Sequence, residues 1–184
     1  MLDQNKFTHP DIRLHGPVDD KMLEDFFSQL DHALSHNGLI LMELMTAGGN
    51  ADVGGRMAQH IRLLREDGRE MHFLGATTVY SAGVTIMGGF APECRHLTHG
   101  TTLLIHERQA TAFELPSGPL SAIIQIAKSK VREMSNGLEL QKNGFKDLIE
   151  GTDVSEEEIH SKARTNWYIS AEEALNRRLI AGVV

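Results

Sequence analysis

Acyl transfer asks four things of a chain: a nucleophile, a base within hydrogen-bond reach, an orienter for that base, and donors for the oxyanion. Ser81 stands where an apolar strand pattern gives way to a helical one, beside the small residues Ala82 and Gly83. Such a junction exposes the hydroxyl and aims the Ala82 N–H at a reacting carbonyl. Taken alone, a serine ahead of Ala-Gly is more often a helix cap. Gly48-Gly49 follows a buried strand pattern, and glycine there permits positive φ and close backbone approach, so the pair could hold the second oxyanion donor. Taken alone, it is more often a tight strand-to-helix turn. No Lys-Ser/Thr follows it and the third glycine of a dinucleotide fingerprint is misplaced, which discounts nucleotide binding. His106 ends a strand, and strand ends in open α/β sheets collect ligand groups. Among the ten histidines, His72, His96, His99 and His160 read as structural or exposed.

The elements that must position these residues follow from periodicity. Ile12 to Leu14 reads as a short strand. Asp19 or Asp20 caps a helix with Met22, Leu23, Phe26, Phe27, Leu30, Ala33 and Leu34 on one face, stopped by Asn37-Gly38. Leu39 to Met45 is a nearly continuous apolar run, the signature of a buried parallel strand. A second helix carries Val53, Met57, Ile61 and Leu64 and ends at Asp67-Gly68. Met71 to Leu74 and Thr101 to Ile105 read as further strands. Residues 119–142 form a long amphipathic stretch with Leu120, Ile123, Ile124, Ala127, Val131, Met134 and Leu138, and Asn143-Gly144 breaks it. Ser155-Glu-Glu-Glu158 and Ser170-Ala-Glu-Glu173 resemble capping boxes. The alternation of strands and helices implies an α/β fold with right-handed crossovers. No repeat, low-complexity tract or linker interrupts it, so residues 1–184 read as one domain.

The 184 residues suffice for one sizeable core. A net charge of −7 with dispersed Lys and Arg argues against nucleic acid as the main partner. No run of eighteen apolar residues suggests a membrane span, and the N-terminus lacks the basic and apolar regions of a secretory signal. The single cysteine, Cys94, reads as a packed side chain and fits a reducing cytoplasm.

Four segments in order then carry a family resemblance. Met45-Thr-Ala-Gly-Gly49 resembles the Asn-Ser-Pro-Gly-Gly loop of the Clp protease proteolytic subunit (ClpP). Val79-Tyr-Ser81-Ala-Gly83 is similar to its Ala-Ala-Ser-Met-Gly nucleophile turn, and Leu103-Leu-Ile-His106-Glu to its Val-Met-Ile-His-Gln. Trp167-Tyr-Ile-Ser-Ala-Glu-Glu-Ala174 with Leu179-Ile180 resembles its C-terminal motif. The interval of 25 positions from Ser81 to His106 matches the family, and Arg13-Leu-His-Gly16-Pro-Val-Asp resembles an early segment. The resemblance implies the ClpP/crotonase-like spiral of ββα units with a long protruding handle helix. It implies a serine-type peptidase or esterase with Ser81 as nucleophile, His106 as general base, and the N–H groups of Gly49 and Ala82 as the oxyanion hole. It implies no cofactor and no metal. Peptides or small acyl groups are the expected substrates, and a homo-oligomeric ring of six or seven subunits, in the cytoplasm, the expected assembly.

The sequence departs from the family at defined points. Asn166 stands where the family has the triad Asp. Its carbonyl can accept the His106 N–H but carries no charge, and Glu107, Asp153 and Glu172 are alternative acids. Leu41 and Glu43 replace aromatic residues of the family's dock for its unfoldase. A desolvated Glu43 disfavours an apolar loop there, so no ATP-driven unfoldase is expected as partner. Phe113-Glu-Leu-Pro-Ser-Gly-Pro119 replaces a Gly-rich strand that lines the cleft. Two other readings stay open: a non-catalytic subunit assembling with an active paralogue, and a crotonase-type acyl-CoA enzyme.

Overall fold

The computed structural model describes residues 4–110 and 113–184. The head of the segment read as carrying no secretory signal, residues 1–3, lies outside the described residues. A short helix α1 (Gln4–Thr8) leads into β1 (Ile12–His15). Next come α2 (Asp20–Leu34), β2 (Ile40–Thr46), α3 (Ala51–Glu66) and β3 (Met71–Tyr80). Helix α4 (Ala82–Met87), a 3-10 turn at Pro92–Cys94, β4 (Arg95–Leu97) and β5 (Thr102–Ile105) follow. The chain closes with α5 (Leu120–Ile149), α6 (Glu156–Ala163), β6 (Trp167–Ser170), α7 (Ala171–Asn176) and β7 (Gly182–Val183).

The strands form one sheet in the order β1-β2-β3-β4-β7, with β5 and β6 branching from β3. All pairings are parallel except β5 with β6. The long strand β3 serves two neighbours: Phe73–Gly75 pairs with β4, and Thr78–Tyr80 pairs with β5. Between them Thr77 takes φ 60°, and the β2–β3 register shifts between Leu44 and Thr46. Such an irregularity bends a strand. Here the end of β3 turns toward β5, which brings Ser81 to the strand that leads into His106.

The helices form where caps and apolar faces coincide. Asp19 accepts the Met22 N–H at 2.9 Å and starts α2, which buries Met22, Phe26, Leu30 and Ala33 against the sheet. Ser155 and Ser170 accept the Glu158 and Glu173 N–H groups, each at 3.1 Å, as the two capping-box patterns predict. The expected break at Asn143-Gly144 does not occur. Helix α5 runs through it to Ile149 because Leu148 and Ile149 are buried in the domain core and Phe145 packs against it. That burial outweighs the roughly 1 kcal/mol that a helical glycine costs. The fold is α/β with a parallel sheet, and the 30-residue α5 is the expected handle.

Arg95 ties the C-terminal ends of the domain together. It is 1 % exposed, and among the described residues no carboxylate bonds it. Instead it donates to carbonyls: Phe90 at 2.9 and 2.6 Å, Leu148 at 2.7 Å, Leu179 at 3.3 Å and Asp147 at 3.4 Å. Leu148 and Asp147 lie in the last turn of α5, whose orphan carbonyls favour a cation. Burial lowers the guanidinium to about 10, so it remains charged at neutral pH. Cys94, beside it, is half-buried, and burial raises its thiol, as suits a packed rather than a reactive cysteine.

Candidate active site

Ser81 occupies the N-cap position of α4 yet does not cap it: its side chain makes no capping bond. Its backbone takes φ 55° and ψ −116°, a region that side chains with a Cβ rarely adopt. The surrounding chain enforces this. The Ser81 N–H donates to the Leu104 carbonyl at 2.9 Å, and the Ser81 carbonyl accepts from Val84 at 3.0 Å. A backbone outlier of this kind costs about 1–3 kcal/mol and concentrates at functional sites. A sharp strand-to-helix turn with the serine at its apex presents the hydroxyl outward.

The Gly48-Gly49 loop is pressed against this turn. Gly48 has φ +102°, and a Cβ there would lie 2.7 Å from Ser81 Cβ and 3.1 Å from the Tyr80 carbonyl oxygen. Gly49 has φ +152°, and a Cβ there would lie 2.4 Å from the Val18 carbonyl oxygen. Only glycine fits either position. Buried Thr46 fixes the loop by accepting the Gly48 N–H at 3.0 Å. Among the backbone hydrogen bonds of the described residues, neither the Gly49 nor the Ala82 N–H finds an acceptor. Both residues line the cleft that Ser81 lines.

That cleft, about 1190 Å³, runs between α3 and α5, and His106 and Arg108 line it too. His106 Nδ1 lies 2.7 Å from the Glu107 carbonyl oxygen. A carbonyl only accepts, so Nδ1 carries the hydrogen and Nε2 keeps the lone pair of a base. Among the described residues no hydrogen bond joins Ser81 to His106. Catalytic hydrogen bonds are often loose before substrate arrives.

Asn166 lies one step beyond the β5–β6 ladder, whose last pair is Ile105 with Trp167, so it neighbours His106 across the strands. It takes φ 60° and is exposed. It does not line the cleft, and its side chain makes no hydrogen bond among the described residues. Glu107 lies 3.8 Å from Arg164, and Asp153 is held by Arg178, which keeps its carboxyl below the usual range. The structure thus gathers Ser81, His106, Gly49 and Ala82 in one cleft and leaves Asn166 at its margin.

Periodicity did not point to Asp52, Arg108 or Gln141. Arg108 pairs with Asp52 in the first turn of α3, and the Arg108 N–H donates to Gln141 Oε1 at 2.6 Å. One signal was available for Gln141: it continues the spacing Val131, Met134, Leu138 as a polar residue on an apolar stripe. Among the described residues no cluster of His, Cys, Asp and Glu could hold a metal ion. None of the described helices is long and apolar enough to cross a membrane. No curated protein matches the chain. The family model for Clp protease matches residues 4–184. That match covers nearly the whole chain, and with the parallel sheet and handle helix already described it shows that the chain belongs to the Clp protease family.

Proposed function

We propose that this Clp protease family member is a serine hydrolase, cleaving short peptides or small acyl esters with Ser81 and His106. The observation that carries the reading is the uncapped Ser81 at φ 55°, wedged against Gly48 in the cleft it shares with His106. In the reaction, His106 Nε2 takes the Ser81 proton as Oγ bonds to the acyl carbon. The oxyanion accepts hydrogen bonds from the Gly49 and Ala82 N–H groups. The tetrahedral species collapses, the bond to the leaving group breaks, and His106 returns the proton to that group. Water, deprotonated by the same nitrogen, then cleaves the acyl-serine ester. No cofactor takes part.

Asn166 stands at the family's third position, next after the Ile105–Trp167 pair that precedes His106, and its exposed side chain makes no hydrogen bond to the ring among the described residues. Hydrolysis of a small activated ester tests both claims. Ser81→Ala and His106→Ala each lower the rate by at least about 10²-fold if the pair is catalytic. A rate unchanged in both removes the reading. Asn166→Ala lowers the rate if that side chain orients the ring; an unchanged rate removes Asn166 from the mechanism. Total inactivity of folded wild type favours the second reading, a non-catalytic subunit. The missing Ser81–His106 hydrogen bond is the observation on that side.

The assembly in this proposal is a homo-oligomeric ring. The apolar stripe that α5 exposes supports it, with Leu120 78 % and Val131 62 % accessible. No ATP-driven unfoldase is needed: half-buried Glu43, in register with Arg13 and Leu74 on one face of the sheet, disfavours an apolar docking loop.

A further inference from the structure

The Ser81–His106 reading leaves open what holds the histidine ring in its working tautomer, and the inference rests on that reading. The acceptor at His106 Nδ1 is the carbonyl of the peptide unit joining Glu107 to Arg108. The N–H of that same unit donates to Gln141 Oε1 at 2.6 Å. A trans peptide is planar and stiff, so its C=O and N–H point in opposite directions as one body. Gripping the N–H therefore aims the C=O. Gln141, Arg108 N–H, Glu107 C=O and His106 Nδ1–H form one hydrogen-bonded chain through a single peptide plane. Each bond in such a chain polarises the next.

Two further tethers hold the segment. The Glu107 N–H donates to the Ala163 carbonyl at 3.3 Å, and the Arg108 guanidinium pairs with Asp52. Gln141 itself is 8 % exposed and sits on the apolar stripe of α5, at its junction with the domain. An apolar residue there would leave the half-buried Arg108 N–H without its acceptor and the peptide unit without its hold.

We propose that Gln141 is the positioning residue for His106: it orients the Glu107–Arg108 peptide whose carbonyl fixes the Nδ1–H tautomer. The main chain thereby does for the ring what a carboxylate does in a Ser-His-Asp triad. The handle helix is wired to the base through one side chain.

The test is ¹⁵N NMR of histidine-labelled protein, with His106→Gln to assign the ring, beside steady-state kinetics on a small activated ester. Wild type should show the neutral His106 ring as the Nδ1–H tautomer. Gln141→Leu should turn it into a mixture and lower kcat roughly tenfold at unchanged KM, a fraction of the about 10⁴-fold lost with a fully wrong tautomer. Gln141→Glu keeps an acceptor oxygen and should restore the tautomer and most of the rate. Gln141→Met, closer in shape, serves if the leucine variant does not fold. A folded Leu or Met variant with the wild-type tautomer and kcat overturns the proposal, as does a wild-type ring in the Nε2–H form. The two readings fail separately. If the ring responds to Gln141 but folded wild type hydrolyses nothing, the hydrolase reading falls and the positioning stands. If wild type is active and neither ring nor kcat responds, the positioning falls alone.

Discussion

Helix α5 is one helix with two surroundings. Its stripe runs Leu120, Ile124, Ala127, Val131, Met134, Leu138 and continues through Gln141, Phe145 and Leu148 at the same spacing. The first half stands bare, with Leu138 59 % exposed, while Leu148 is 2 % exposed. The second half is held by α4 and α6, by Phe145 edge-on to His160 at 5.2 Å, and by Arg95 on its last carbonyls. Arg62 adds an ion pair to Asp147. An apolar stripe therefore tells which face of a helix seeks cover, not what covers it. One half is an anchor of the domain, the other a face offered outward.

The largest test of that contrast removes the anchor. Arg95→Met should destabilise the chain by about 3–5 kcal/mol, because several buried carbonyls lose their donor at once. Arg95→Lys should recover little, since an ammonium cannot reproduce the planar fork. Urea unfolding measures both, and a loss under about 1 kcal/mol for Arg95→Met would mean the anchor lies elsewhere. A smaller effect on the fold is expected in the bare half. Val131→Glu and Leu138→Glu should each change stability at low protein concentration by about 0.5 kcal/mol or less. Each should weaken self-association by roughly tenfold or more, as burying a large apolar side chain is worth about 1.5–3 kcal/mol. Light scattering across a dilution series reads this. Unfolding of Val131→Glu, or a wild type monomeric at tens of micromolar, would end the view of that half as an assembly face.

The smallest effect lies at His96, where β4 meets the N-terminal helix. His96 stacks on His72 with ring centroids 5.7 Å apart, and Phe7 packs edge-on at 5.0 Å. Glu70 lies 3.3 Å from His72 Nε2. Burial, then the neighbouring His72, lowers His96 from its ordinary 6.5 to about 4. A histidine with a lowered folded pKa binds its proton more readily when unfolded. Its contribution is therefore complete above about 6.5 and is lost as pH falls toward 4. Because the ring is partly exposed, solvent screening makes the effect modest. Stability should decline through that window in wild type and decline less in His96→Asn. Parallel pH profiles of the two would show that His96 does not titrate with folding.

The same contrast governs what the sequence disclosed. Asp19, Ser155 and Ser170 were legible as caps because capping is local, and β1 and β2 because burial leaves a periodic trace. Ser81 and His106 were legible as the ends of two strands. The continuation of α5 through Asn143-Gly144 was not, because a weak local breaker yields to burial of Leu148 and Ile149, which only the folded chain reveals. Nor was the use of Arg95, whose carbonyl partners come from three separate segments. The peptide plane between His106 and Gln141 was hidden for the same reason: hydrogen bonds to main-chain groups leave no mark on residue type. Asn166 shows the converse. Its motif position was readable, but φ 60° and its exposure depend on how β6 enters the sheet.

The central claim is that Ser81 is a nucleophile made reactive by His106. Its most direct test is intact-mass analysis after reaction with a fluorophosphonate, because a serine hydroxyl without an adjacent base reacts poorly. The account predicts a single adduct per chain on folded wild type, absent from Ser81→Ala and from His106→Ala. A folded wild type that stays unlabelled at millimolar probe, or an adduct that persists in Ser81→Ala, would contradict it.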